Sequence, residues 1–298
     1  MAARGRAALV SSRMFDVSDL LEEALVMRQP RFDPRLYQIL VLSSLLVYGV
    51  TRLDLEVRPV LAAAMLATVL LTQYVCTKVW KLPAFDPRSA LISGLSLCLL
   101  LRTNFLALAL VAAVITIAGK FVIRWNGKHL FNPTNFGIVA LMLATDGKVW
   151  VSPGQWGSAV LFAFLVACLG GLVVNRATRS DVTYAFLAFY LAVVFGRALW
   201  LGQPFTIPIH QLSSGAFLIF TFFMISDPRT TPDSRAGRIL FALLVALGAG
   251  FVHFVLYRPN GLILSLFFLS PVVPLIDWLL PGRRYAWKPL PVLERRFA

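Results

Sequence analysis

The sequence is short of charge. Asp, Glu, Lys and Arg together make up 14% of it, against about a quarter in soluble domains. It is also short of metal ligands. Its 3 cysteines, Cys76, Cys98 and Cys168, all fall inside apolar runs, with no metal spacing and no disulfide framework. Of its 3 histidines, His253 stands in an apolar run with no His, Cys or carboxylate at ligand spacing, which argues against a metal or haem site. There is no Gly-rich phosphate loop, no soluble dinucleotide domain and no cysteine cluster for iron–sulfur. A complete oxidoreductase in one chain is therefore not expected.

What the sequence has in abundance is hydrophobicity, 58% of all residues. Apolar runs of near-spanning length recur from Tyr37 to Leu280. Ten crossings fit them, at 37–51, 58–76, 89–101, 105–123, 132–145, 157–175, 183–200, 212–226, 239–257 and 261–280. The third and fifth are short for a span of about 20 residues. They read as half-length or broken helices buried among the others. The expected fold is all-α and polytopic, with an arm at 1–36, membrane repeats at 37–150 and 151–281, and a basic tail at 282–298. The arm mixes Arg with Asp and Glu and has no long apolar core, so no cleavable signal is expected. Its segment 14–27 reads as a short amphipathic helix.

The formal net charge is +14. It does not point to nucleic acid, because the basic residues cluster in the tails and between the runs. One side collects the arm, Lys78, Lys81, Arg88, Lys120, Arg124, Lys128, Arg176, Arg179, Arg229, Arg235, Arg238 and the tail. The other keeps only scattered charges such as Arg52, Asp54, Arg102, Asp146 and Arg258. This asymmetry puts both termini in the cytoplasm of a cell whose inner membrane the chain crosses.

A signature occurs twice. Leu91-Ile92-Ser93-Gly94 opens one run and Leu212-Ser213-Ser214-Gly215 another. Asn135 follows Gly94 by 41 residues and Asn260 follows Gly215 by 45, each Asn just after a proline and before a short apolar stretch. With five crossings per half, the second copy is inverted. Duplicated units with Gly/Pro-interrupted segments mark a central site between the halves. Gly94, Asn135, Gly215 and Asn260 are expected to line it.

The segments Phe131-Asn132-Pro133-Thr134-Asn135-Phe136-Gly137, Ser214-Gly215-Ala216 and Phe222-Phe223-Met224-Ile225-Ser226-Asp227-Pro228 carry a further reading. They resemble the NqrB and RnfD family of membrane subunits from ion-translocating redox complexes. Phe85-Asp86-Pro87-Arg88-Ser89-Ala90 and Val151-Ser152-Pro153-Gly154-Gln155-Trp156 look closer to a stand-alone, UnbU-like branch named from enediyne biosynthesis clusters. The resemblance implies a urea-transporter-like inverted repeat and a place in membrane electron transport. Its partners would be the lipid bilayer, other redox-complex subunits and a periplasmic protein.

Family members with covalent flavin carry FMN on the last Thr of Asp-x-x-(Ser/Thr)-Gly-Ala-Thr. Here the motif reads Gln211-Leu212-Ser213-Ser214-Gly215-Ala216-Phe217. A phenyl ring has no hydroxyl to esterify, and Gln211 replaces the Asp. Covalent FMN at this position is excluded chemically. A noncovalent flavin stays open, with Ser214, Gly215, His210, Asn132 and Asn135 as candidate contacts.

The remaining polar residues carry local readings. Asn132 and Asn135 can hold a broken backbone or contact a ligand. Asp227 before Pro228 reads as a turn and helix stop. Arg197 reads as a snorkelling side chain and Gln73 as an interhelical hydrogen bond. Two functions stand open on the sequence: a redox subunit, or a channel or transporter on the same scaffold.

Overall fold

The computed structural model describes residues 33–52, 57–152, 171 and 180–285. Two compact units are distinguished, Met1–Pro34 and Arg35–Ala298. The first lies almost wholly outside the described residues, as do the expected helix at 14–27, the sixth crossing at 157–175 and the tail beyond Tyr285.

The first half contains α1 (Pro34–Arg52), α2 (Pro59–Val79), α3 (Arg88–Leu100), β1 (Leu101–Thr103), α4 (Leu106–Val122), β2 (Arg124–Trp125), β3 (Lys128–His129), α5 (Pro133–Ala144) and β4 (Val149–Val151). The second contains α6 (Ser180–Trp200), α7 (Thr206–Leu212) and α8 (Gly215–Ile219), which continues as a π-helical stretch, Phe220–Met224. Then come α9 (Arg235–Phe254), α10 (Gly261–Leu269), a 3₁₀ turn at Ser270–Val272 and α11 (Val273–Leu279). By length and composition α2, α6, α9 and the run Gly261–Leu279 can each cross a membrane, and α7 with Gly215–Met224 forms a further pair bent by 58°. At 13 and 12 residues, α3 and α5 are half-length elements. The chain is a helical, polytopic membrane protein.

Polar pairs and ring contacts show which helix ends lie together. At one end Arg35 donates to Asp86 (2.6 Å), Trp80 meets Phe121, and Arg238 forks onto Asp181 (2.9 and 3.0 Å). Asn132 reaches the Met224 carbonyl there, and Lys128 reaches Asp233 and Asp277. At the opposite end Asn260 meets Met142, Arg197 covers the Phe254 ring, and β1 pairs with β4. Among the described helices direction alternates from α1 to α5 and again from α6 onward, taking α7–α8 and α10–α11 each as one run, and Arg35 and Arg284 both lie at the first, basic end. The packing order also repeats: α2 lies on α4 and α4 on α5, while α6 lies on α9 and α9 on α10. Members of each matched pair (α2 and α6, α4 and α9, α5 and α10) run in opposite senses, which is the inverted repeat. The halves meet where α5 packs on α10, with Phe131 and Phe267 stacked at 5.0 Å.

Large apolar side chains face outward along the helices, among them Leu40, Val60, Leu71 and Leu199. In water that would be an aggregation-prone surface, whereas against acyl chains it is the expected one. Exposed tryptophans mark helix ends, with Trp80, Trp125 and Trp278 at the basic end and Trp150 and Trp200 at the other.

Two short antiparallel ribbons supplement the helices. The β2–β3 hairpin turns on Asn126 (φ 48°) and Gly127 (φ 77°), the dipeptide that a primed two-residue turn favours. In the other ribbon Arg102, expected among exposed loop charges, is buried. Its Nη1 donates to the carbonyls of Cys98 (3.0 Å) and Leu101 (2.8 Å), so the cation closes the C-terminal end of α3.

Candidate functional site

At the basic end, α3 starts from an anchored loop. Asp86 accepts from the Arg88 backbone (3.1 Å) and from the Arg88 and Arg35 side chains (2.8 and 2.6 Å). Burial pushes this carboxyl up, but Arg88 and Arg35 outweigh it and hold its pKa at about 2. One turn inward, Lys120 is buried and donates to Ser89 Oγ (3.1 Å).

The next layer is the junction of half-helices. Asn132 is the N-cap of α5, accepting from the Asn135 backbone N–H (3.1 Å) while Pro133 fills the first helical position. Its Nδ2 donates across the repeat to the Met224 carbonyl (3.3 Å). Thr134 Oγ1 donates to the Ser93 carbonyl (3.2 Å), joining α5 to α3. Gly94, next to Ser93, is buried against Val69 and Leu66 of α2. On α5, Gly137 lies so close to α4 that a Cβ there would collide with Thr116 Oγ1.

Three fully buried side chains in this layer have polar atoms without partners. Asn135 has no hydrogen-bond partner for either side-chain atom, and Thr116 Oγ1 and Thr221 Oγ1 have none. Thr221 lies in the π-helical stretch and its carbonyl accepts from Thr183 (3.3 Å). Three residues inward from the Asn132–Met224 contact lie Asn135 on one segment and Thr221 on the other. A buried polar group left unpaired costs about 1–3 kcal/mol, and π-helical turns concentrate at functional sites. The arrangement offers an amide and hydroxyls to a small polar guest or to water.

Residues 147–286 match the family described as NQR2, RnfD, RnfE. Among curated proteins, the chain is 30% identical over 160 residues to the D-type subunit of the ion-translocating oxidoreductase complex of Erwinia tasmaniensis, covering 52% of this chain and 40% of that one. It is 33% identical over 133 residues to the protein of the same name from Alcanivorax borkumensis, covering 43% and 37%. For that of an Escherichia coli strain the figures are 29% over 153 residues, covering 50% and 40%. The chain thus spans less than half the length of the curated relatives it matches.

The matched stretch contains the second broken helix and the Gln211–Phe217 segment. Ser214 caps α8, accepting from the Phe217 N–H (3.2 Å), and Gly215 is buried behind it. The Phe217 ring is buried and stacks on Tyr190 at 5.6 Å, which stacks on Phe186 at 5.5 Å, with Phe220 next at 5.2 Å. An aromatic column fills the place where a covalent flavin would need a hydroxyl. His210, in the last turn of α7, is exposed.

The structure divides the residues that the sequence singles out. Gly94, Asn132 and Asn135 belong to the junction near the basic end. His210, Ser214 and Gly215 begin the broken helix that reaches this junction only at Met224. Asn260 lies beside Met142 (3.8 Å), two turns along α5 from Asn135. By cap position its counterpart is Asn132, since Asn260 precedes α10 as Asn132 precedes α5, though with a left-handed φ of 65°.

Asp227 holds a turn, accepting from the Arg229 N–H (3.0 Å). Arg197 donates to Gln203 (3.1 Å). Gln73 is buried, yet its Oε1 has no partner, contrary to the interhelical bond expected of it. Among the described residues no three His, Cys, Asp or Glu side chains gather to hold a metal ion. Thr116 and Lys120 are absent from the sequence candidates, and Thr221 enters there only as an alternative hydroxyl near the flavin motif. Thr116 and Thr221 are hydroxyls inside apolar runs, and their spacing from Asn135 carries no signal.

Proposed function

We propose that the chain is a membrane-embedded subunit of an electron-transport system of the RnfD and NqrB kind, without the covalent flavin. The observation that carries this reading is the family match over 147–286, which takes in the capped, bent and π-helical segment. Electrons would be supplied by other subunits, with a periplasmic protein among the partners. The Lys/Arg-rich end faces the cytoplasm, so both termini lie there, in a bacterial inner membrane. The chain fits the stand-alone UnbU-like branch on the segments Phe85-Asp86-Pro87-Arg88-Ser89-Ala90 and Val151-Ser152-Pro153-Gly154-Gln155-Trp156. Any flavin it uses is held noncovalently.

The test is tagged purification from the native host in mild detergent. Co-purifying redox subunits, and a flavin absorption band that is lost on denaturation, are the expected results. A chain that purifies alone and colourless, yet conducts solute in liposomes, would replace this reading with a transporter. The observation favouring that second reading is the unpartnered amide of Asn135 with Thr116 and Thr221 at the repeat junction.

A further inference from the structure

At the basic end, away from the repeat junction, the β2–β3 hairpin, the loop before α9 and helix α11 enclose a cavity of about 460 Å³. That is the size of a small-molecule site. Its lining carries charges of both signs. Lys128 Nζ is held between Asp233 (3.0 Å) and Asp277 (2.7 Å), and Asp277 also accepts from the Asp233 N–H (2.7 Å). One ammonium between two carboxylates leaves this group one negative charge in excess. Arg284, also on the lining, is exposed and in no ion pair among the described residues, and its Nη1 comes within 3.8 Å of where a Cβ on Gly127 would sit, at the turn of the hairpin. Gly282 fixes the approach of this segment, since a Cβ there would collide with the backbone of Asp233 and Ser234.

The rim is made for an interface. Trp125 and Trp278 line the cavity with 59% and 76% of their surface exposed. Tryptophan concentrates at the headgroup level of a bilayer. Leu275, also on the wall, is 53% exposed and continues into the apolar flank of α11. Deeper in, His129 is buried and its Nδ1 has no partner. A ligand matching this lining has both a cationic and an anionic group, and an apolar chain leaving past Leu275.

We propose that the cavity seats the headgroup of a zwitterionic aminophospholipid, its phosphate on Arg284 and its ammonium on Asp277. An anionic headgroup without an ammonium would satisfy Arg284 and face the excess carboxylate. A soluble zwitterion would match the charges and forgo the apolar flank. Basic pockets at the ends of membrane helices recognise lipid headgroups, and the added carboxylate selects among them. The assignment does not depend on the redox reading.

Native mass spectrometry of the full chain in detergent tests it, with phosphatidylethanolamine, phosphatidylglycerol and soluble phosphoethanolamine each added. Phosphatidylethanolamine adducts should persist where phosphatidylglycerol is lost, and phosphoethanolamine should not displace them. Arg284→Gln should lower phosphatidylethanolamine retention about tenfold, as expected for the loss of a charged hydrogen bond. Arg258→Gln, at the opposite end, should leave it unchanged. Asp277→Asn should narrow the preference over phosphatidylglycerol, and because Arg284 is exposed, its variant decides the matter if Asp277→Asn fails to fold. Equal retention of both lipids, displacement by phosphoethanolamine, or unchanged retention in Arg284→Gln would each overturn the proposal.

Discussion

The two halves of the repeat share a scaffold and differ in filling. In the first, the half-helix junction is built from amides and hydroxyls: Asn132, Asn135, Ser93 and Thr134, with Thr116 behind them. In the second, the corresponding broken helix is packed with rings, Phe217 on Tyr190 on Phe186 and then Phe220. Each half starts its short helix with a side-chain cap, Asn132 for α5 and Ser214 for α8. The caps and close crossings are what the scaffold requires. The filling around them differs between the halves. Phe217 supplies packing at the start of α8, its buried ring stacked on Tyr190.

The comparison breaks most visibly at Phe217. Phe217→Thr removes a buried ring from a stack, and a loss of about 3 kcal/mol is expected, read as a lower denaturation midpoint in detergent. A flavin transferase should leave this variant unlabelled in a denaturing gel, since Gln211 still occupies the Asp position. Gln211→Asp with Phe217→Thr restores both motif residues and is the variant expected to fluoresce. Wild-type protein that keeps flavin fluorescence after denaturation would show that another hydroxyl carries the cofactor, and the contrast between the halves would fall.

The caps sharpen the comparison at smaller amplitude. Ser214→Ala removes one cap and should cost about 1 kcal/mol. Asn132→Ala removes a cap and the bond to the Met224 carbonyl that ties the halves together, so about 2 kcal/mol is expected. Equal losses in the two variants would mean that the cross-repeat bond contributes nothing.

Much of this architecture is legible in the sequence, for reasons that can be named. Run length marks α3 and α5 as half-length, and Pro after Asn marks the start of α5. Of the two Ser-Gly signals, Ser214-Gly215 marks the break before α8, while Ser93-Gly94 lies inside α3, where the glycine allows the close approach of α2. What spacing does not reveal is depth. Asn135 and Asn260 stand at similar distances from their glycines, yet lie two turns apart along α5. Burial of charge is also hidden: Arg102 counts as a loop residue until the Cys98 and Leu101 carbonyls take it in. The β2–β3 hairpin carries a readable Asn126-Gly127 signal within a segment that, by charge alone, reads as a basic loop. His129 lies in the same segment, beside Lys128, and nothing in its sequence surroundings announces that its ring is buried.

That histidine supplies the mildest contrast near neutral pH. The α4–α5 link holds His129 buried, while at the α9–α10 link His253 is only half-buried and packs edge-on against Phe254. Burial, then the charges of Arg229, Arg124 and Lys120, hold the His129 pKa down at about 3, while hydrogen bonding to the Lys120 backbone opposes them. Above the ordinary value of 6.5, neither the folded nor the unfolded hairpin binds a proton at this ring, and its contribution is flat. Below 6.5 the unfolded hairpin takes up a proton that the folded one refuses, so stability falls as pH drops towards 3. Hydrogen exchange across Arg124–His129 should accelerate between pH 6.5 and pH 5, after correction for the intrinsic pH dependence of exchange. His129→Gln, which cannot titrate, should flatten that response. An unchanged pH response in His129→Gln would place the sensitivity elsewhere than in this ring.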